Sequence, residues 1–143
     1  QNKVELFLPV DFVTADKFDK DAQVGAATDE SGIPDGWMGL DIGEKSREIF
    51  KGAVLKAKTI LWNGPPGVFE FDNFAGGSQA VLQACVDAEK NGSTVIVGGG
   101  DTATVVAKYD AQEHISHVST GGGASLELLE GKELPGVAGL SQK

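Results

Sequence analysis

Thr94-Val95-Ile96-Val97-Gly98-Gly99-Gly100-Asp101-Thr102 reads as a short buried strand that passes through three glycines into the start of a helix. A second copy of the device follows closely. Ile115 to Val118 is a strand, and Ser119-Thr120-Gly121-Gly122-Gly123-Ala124-Ser125 turns it into another helix. Consecutive glycines allow positive φ and let a backbone come close to a ligand. The helix behind them offers unpaired N–H groups and the positive end of its dipole. Such a turn suits a polyphosphate, although glycines also serve plain tight packing of strand on helix.

Working outward, the same alternation extends upstream. Ile49, Phe50, Ala53, Val54 and Ala57 fall on one face of a helix that begins near Glu44, and Thr59-Ile60-Leu61-Trp62 is a short buried strand. Asn63-Gly64-Pro65-Pro66-Gly67 is a rigid turn, and Asp72 or Asn73 can cap a helix with Val81, Ala84, Cys85 and Ala88 inward, stopped by Asn91-Gly92. A helix from about Thr102 to Tyr109 and a last one with Leu126 and Leu129 inward, ended by Gly131, complete an α-β-α-β-α-β-α pattern. That pattern predicts an α/β fold: a three-layer, Rossmann-like parallel sheet with helices on both faces. Right-handed crossovers put both glycine turns on the carboxyl edge of the sheet. Before Glu44 the reading is a strand at Val4 to Leu8, then a loop or hairpin through Gly36 in which Val24 to Thr28 is a short edge strand.

The chain has 143 residues, a length that suits one domain, and is 41% hydrophobic, enough for a core. Its net charge of -9 argues against nucleic acid and anionic membranes as partners, since both need a basic face. No segment is a membrane span or a signal peptide. Cys85, the only cysteine, cannot form an internal disulfide and reads as a small buried hydrophobe in a reducing, cytoplasmic setting. The chain begins at Gln1 and enters an apolar stretch at once, which reads as a cut rather than a natural start.

Individual residues leave two readings open. Asp101 is either the N-cap of its helix or a ligand for Mg²⁺, and Thr102 either a cap or a phosphate donor. Glu70 is a solvated loop residue or an acceptor for ribose hydroxyls, and Asn63 orients a base or holds its turn. Trp37 and Trp62 read as core, and His114 and His117 as structural or surface residues. No Gly-Lys-Ser/Thr follows a glycine loop, and Ser119-Thr120 stand where a dinucleotide fold places its ribose-binding acid. No lysine or arginine sits at a strand end beside the glycine turns, and Lys108 comes late in its helix. Phosphoryl transfer needs cations at the transferring oxygens, so the cradle is present without its clamp.

Leu8-Pro9-Val10-Asp11, Gly36-Trp37-Met38-Gly39-Leu40-Asp41, Trp62-Asn63-Gly64-Pro65-Pro66-Gly67-Val68-Phe69-Glu70, Gly98 to Thr104 and His117 to Glu127 together resemble phosphoglycerate kinase, and are similar to fungal members. The likeness runs in order to Leu134-Pro135-Gly136-Val137. It implies a kinase of two α/β domains that transfers a phosphoryl group between 1,3-bisphosphoglycerate and Mg-ADP, giving 3-phosphoglycerate and Mg-ATP in glycolysis. Residues 1–131 would then be part of the nucleotide-binding C-terminal domain, and residues 132–143 would pack toward the N-terminal domain. By resemblance Gly39 and Leu40 line the adenine pocket, Asn63 and Pro65 lie near base and ribose, and Glu70 takes the ribose hydroxyls. Gly99, Gly100, Asp101 and Thr102 handle the phosphates of ATP or ADP, with Asp101 toward Mg²⁺. Gly121 and Gly122 open the helix whose N-terminus faces the transferring phosphoryl group.

The likeness covers about the last third of a family member. It implies that the substrate-binding domain with its catalytic arginine, and a lysine-bearing Gly-Gly-Ala-Lys turn, belong upstream, which accounts for the missing clamp. The whole enzyme is expected to be a monomer; this portion alone is expected to be inactive and poorly stable. Gly43-Glu44-Lys45-Ser46 departs from the family's Gly-Pro-Glu-Ser and loses a helix-start proline. The competing readings are a non-catalytic binding or interaction module, and a nicotinamide-type domain, which the residues near position 120 disfavour.

Overall fold

The structure is a computed structural model that describes residues 3–141. Two three-stranded sheets organise it. The first is antiparallel, with β1 (Asp11–Ala15) between β2 (Val24–Thr28) and β3 (Met38–Ile42). The β1–β2 hairpin and the edge position of β2 follow the expectation from sequence. β3 was not anticipated: a glycine and an aspartate interrupt Met38-Gly39-Leu40-Asp41-Ile42, and its apolar signal is too short to register. The pairing of β1 with β3 shifts register between Val13 and Thr14.

The second sheet carries the glycine turns. From Glu44 the elements are α1 (Glu44–Lys56), β4 (Thr59–Asn63), α2 (Gly76–Lys90), β5 (Thr94–Gly98), α3 (Gly100–Lys108), β6 (His117–Ser119) and α4 (Gly122–Leu129). This is the alternation read from the sequence, and β4-β5-β6 is a parallel sheet flanked by helices. Because spatial order follows chain order, two consecutive right-handed crossovers place α2 and α3 side by side on one face. Ile60, Trp62, Val95 and Val97 point into that face and form one core with Leu82, Cys85, Val86, Val105 and Val106. Leu61 and Ile96, on the opposite face, are half-buried. Burial pushes the Cys85 thiol up to about 12, so it behaves as the small hydrophobe the sequence suggests.

Two carboxylates from the first sheet cap helices of the second region. Asp11 accepts from the backbone N–H groups of Lys45 (3.0 Å) and Ser46 (2.8 Å), so it caps α1 across 34 residues of chain. Ser46 is fully buried, and its hydroxyl accepts from the amides of Val10 and Asp11. The missing helix-start proline at position 44 therefore leaves α1 with a different start device. Asp41 does the same for α2, accepting from Gly77 N at 2.6 Å.

Four local expectations are corrected. Val4 to Leu8 is not a strand: residues 3–10 carry no regular structure, and Val4, Leu6 and Leu8 are exposed because no neighbouring strand within the described residues pairs with them. Asp72 and Asn73 do not cap α2. They form a short 3₁₀ turn, Asp72–Phe74, while the helix starts at Gly76 behind Ala75, capped from a distance by Asp41. Leu126 and Leu129 do not face inward. Leu129 is 69% exposed, since nothing within the described residues lies over that face of α4. The last strand is shorter than Ile115–Val118 and begins at His117, after a 3₁₀ turn at Gln112–His114. A final short helix, α5 (Pro135–Ala138), is exposed.

Candidate functional site

The two glycine turns meet. Gly99, the residue before α3, has φ +97, a conformation that side-chain-bearing residues rarely adopt. Gly122, the first residue of α4, lies so close that a Cβ on it would stand 2.8 Å from Gly99 Cα and 2.7 Å from Asn63 Oδ1. Only hydrogen fits there. Parallel pairing of β5 with β6 sets this approach, and Gly99 N donates to the Ser119 carbonyl oxygen at 3.0 Å. Asn63 ends β4 opposite Gly98, and its carboxamide lies against both turns.

Both helices present free amides into this junction. The first bond within α3 runs from Ala103 N to Gly99 O, so the amides of Gly100, Asp101 and Thr102 precede it. In α4 the corresponding bond is Ser125 N to Gly121 O. Gly121 N is occupied by Ser119 Oγ (3.1 Å) and Gly122 N by Thr120 O (3.1 Å), which leaves Gly123 and Ala124 ahead of the first helical bond. Two positive helix ends thus converge on one point of the sheet edge.

Asp101 is not the N-cap; Gly99 occupies that position and α3 has no side-chain cap. Asp101 is the second residue of α3, with its carboxylate exposed beside the free amides. It stands without a ready-made cage, for no group of three His, Cys, Asp or Glu among the described residues can hold a metal. A lone carboxylate fits Mg²⁺, which keeps several waters and is bound through one or two carboxylates with substrate phosphates completing its shell. Thr102 is buried, and its hydroxyl oxygen accepts from Gly64 N at 2.8 Å. It ties the Asn63–Gly67 turn to α3, and its own backbone amide remains at the helix start. Trp62 is core, as expected, and its Nε1–H braces the same turn through the Gly64 carbonyl at 2.9 Å.

A second part of the site lies between the sheets. Gly39, Leu40 and Pro65 line one cleft of about 520 Å³, walled also by Phe12, Ile33 and Val68. Its two sides are bound together by Val68 N donating to Leu40 O at 2.9 Å. Beneath it sits Asp41, whose side chain is 0% exposed. Asp41 accepts from Ile42 N (2.8 Å), Gly77 N (2.6 Å) and Arg47 Nη2 (3.2 Å), so one carboxylate joins β3, α1 and α2. Burial pushes its carboxyl above the ordinary value, against the lowering effect of the Gly77 and Ile42 amides and the Arg47 guanidinium. Glu70 stands apart from both groups, exposed on the turn beyond Phe69.

Two contributors have no local signal in the sequence. Asp41, one residue of the Gly36–Asp41 motif, is the buried post under the cleft. Lys108 comes late in its helix, yet its Nζ donates to the Phe69 carbonyl at 2.7 Å, next to Glu70. Both contacts join residues more than 35 positions apart, a separation that helical or strand periodicity does not report. His114 and His117 are exposed, as expected of surface residues.

Comparison with known proteins identifies the family. The family model described as phosphoglycerate kinase matches residues 1–132. Phosphoglycerate kinase of Hypocrea jecorina is 72% identical over 140 residues, covering 98% of this chain and 34% of that relative. That of Yarrowia lipolytica is 71% identical over 143 residues, with 100% and 34% covered. Among solved structures, phosphoglycerate kinase from Coxiella burnetii superposes with a TM-score of 0.80 at 38% identity, over 92% of this chain and 33% of that one. The enzyme from Pyrococcus horikoshii gives 0.75 at 33% identity, over 91% and 31%. The chain spans about a third of the length of the curated relatives it matches. With a family model over nearly its whole length and fungal relatives at this identity, the chain belongs to the phosphoglycerate kinase family.

Proposed function

We propose that this chain supplies the nucleotide side of phosphoryl transfer between 1,3-bisphosphoglycerate and Mg-ADP, yielding 3-phosphoglycerate and Mg-ATP. The observation that carries the reading is the contact of the Gly99 and Gly122 turns beneath Asn63, which aims the starts of α3 and α4 at one point. In this reading the base enters the cleft at Gly39, Leu40 and Pro65, with Asn63 beside it, and Glu70 accepts from the ribose hydroxyls. The amides of Gly100, Asp101 and Thr102, behind Gly99, hold the phosphates. Gly121 and Gly122 bring the N-terminus of α4 to the phosphoryl group in transit, where a positive dipole end favours the charge that develops.

Mg²⁺, when bound, would supply positive charge against the phosphates. Asp101 is the residue that would hold it, directly or through water. Residues 1–131 then act as part of a nucleotide-binding domain. The exposed Val137 and Leu140 support a role for residues 132–143 in packing against another domain, the one that binds the phosphoglycerate. The cationic clamp that phosphoryl transfer requires would come from that remainder of the enzyme. The chain by itself is therefore expected to be inactive, and the whole enzyme to work as a cytoplasmic monomer.

A chimera in which this chain replaces the matching third of the Yarrowia lipolytica relative tests the reading. It should bind Mg-ATP saturably by titration calorimetry and turn over 3-phosphoglycerate; absence of saturable nucleotide binding would refute the assignment. Asp101→Ala in the chimera should weaken magnesium-dependent ATP binding about tenfold, the scale of a lost charged contact. Its thermal midpoint should not move, since the side chain is exposed. Unchanged affinity would remove Asp101 from the metal site.

A further inference from the structure

The turn from Asn63 to Glu70 is fastened to α3 at two points. At the helix start, Thr102 Oγ1 accepts the Gly64 amide. Near the helix end, Lys108 Nζ donates to Phe69 O at 2.7 Å. Side chains on a helix lean toward its N-terminus, so a lysine in the last turn reaches back along α3 instead of away from it. Its ammonium also lies 3.6 Å from Asp72 Oδ1 and 5.6 Å from the centre of the Tyr109 ring. Asp72 is 98% exposed, and an ion pair to so exposed a partner contributes little. The Lys108 side chain is only 34% exposed, and its other partner, the Phe69 carbonyl, directly precedes Glu70, whose side chain has no hydrogen bond or ion pair among the described residues.

The Phe69 carbonyl and the Glu70 amide form one planar peptide unit. The buried Phe69 ring fixes one side of that plane, and Lys108 fixes its oxygen. With the plane fixed, the direction in which Glu70 leaves the backbone is restricted as well. We propose that Lys108 is a positioning residue for Glu70, holding the turn so that the Glu70 carboxylate faces the ribose; this rests on the assignment of Glu70 to the ribose hydroxyls. It also makes α3 a common support, carrying the phosphate-side amides at its start and the ribose-side turn near its end.

The test is a comparison of ATP with 2′,3′-dideoxy-ATP, each titrated with Mg²⁺ into the chimera. The unaltered chimera should prefer ATP about tenfold, because only ATP offers hydroxyls to Glu70. Lys108→Met should lower ATP affinity by about that factor and leave dideoxy-ATP affinity unchanged, so that the preference falls to near unity. Lys108→Gln, polar but too short to reach Phe69, carries the same expectation and serves if the methionine variant does not fold. Asp72→Asn should keep the preference. The proposal is overturned if the preference survives both Lys108 substitutions, if both affinities fall by the same factor, as a general loss of structure would give, or if Asp72→Asn abolishes the preference by itself. Glu70→Gln separates the two levels. If it leaves the preference intact, Glu70 does not read the ribose and the proposal falls with that assignment; if it removes the preference while the Lys108 variants do not, the proposal alone fails.

Discussion

Replacing Asp41 by alanine attacks the point where three elements are held by one carboxylate. The side chain is 0% exposed and accepts from Gly77 N, Ile42 N and Arg47 Nη2, while Arg47 Nε donates to Ile42 O. Removing one partner of a buried pair costs about 3–5 kcal/mol, because the remaining charge is left without compensation. Arg47 is 25% exposed and recovers part of its hydration, which favours the lower end of that range. The α2 start loses its cap at the same time, a contribution of about 1 kcal/mol. A total near 4 kcal/mol corresponds to a fall of roughly 10 °C in thermal midpoint for a domain of this size. Circular dichroism melting of the chimera measures it. Arg47→Met should also destabilise, and the double variant should cost less than the sum of the singles by about 1 kcal/mol or more, as neighbours in one network do. A midpoint shift below roughly 3 °C for Asp41→Ala, or strict additivity with Arg47→Met, would refute the argument that this pair and cap act as a unit.

Two further outcomes follow from the geometry. Gly122→Ala inserts a methyl at 2.8 Å from Gly99 Cα and 2.7 Å from Asn63 Oδ1, so the two turns must separate, at about 1–3 kcal/mol; Mg-ATP affinity should fall with it, and an unchanged affinity would show that the junction does not shape the phosphate site. Asp11 gives a pH effect. Burial raises its carboxyl, but the Ser46 hydroxyl, the Ser46 and Lys45 amides and the Lys45 charge outweigh that and hold it below the ordinary value of 3.8. A depressed folded-state value stabilises the fold above the unfolded value, and this contribution is lost as pH falls through the folded one. Acid unfolding of Asp11→Ala should therefore show a weaker dependence on pH below about 4 than the unaltered chain, and identical acid profiles would count against the Asp11–Ser46 cap.

How much of this was legible in the sequence depends on whether a residue's partner is near in the chain. The β4–α2–β5–α3–β6–α4 alternation was, because each strand is a short apolar run and each helix an apolar face, and such patterns are local. The glycine turns were legible for the same reason. β3 was not: Gly39 and Asp41 spoil its pattern, and Asp41 is tolerated in the interior only because Gly77 and Arg47, distant in the chain, satisfy it. Leu126 and Leu129 show the opposite error. Periodicity reports that a face is apolar and does not report what covers it, and within the described residues nothing does. For Asp101 the sequence leaves a cap and a metal ligand both open, because aspartate serves as either; Gly99, with its positive φ, takes the helix-start position two residues earlier and removes the cap.

The charge balance sharpens what these residues can do. A chain of net charge -9 that receives a polyphosphate must meet repulsion from its own surface. Each helix start supplies about half an elementary charge, so α3 and α4 together offer roughly one, less than a nucleotide triphosphate carries. Arg47 is engaged with Asp41 and Lys108 with Phe69, so these two cations serve the scaffold and are not free to neutralise a ligand at the junction. Under the proposed function the glycine junction would therefore orient phosphates, and neutralisation would fall to a divalent cation at Asp101 and to positive groups from elsewhere in the enzyme. In that division of labour, substitutions at Gly122 or Lys108 should alter which nucleotide binds and in what pose. Substitutions at Asp101 should instead alter how strongly binding depends on magnesium.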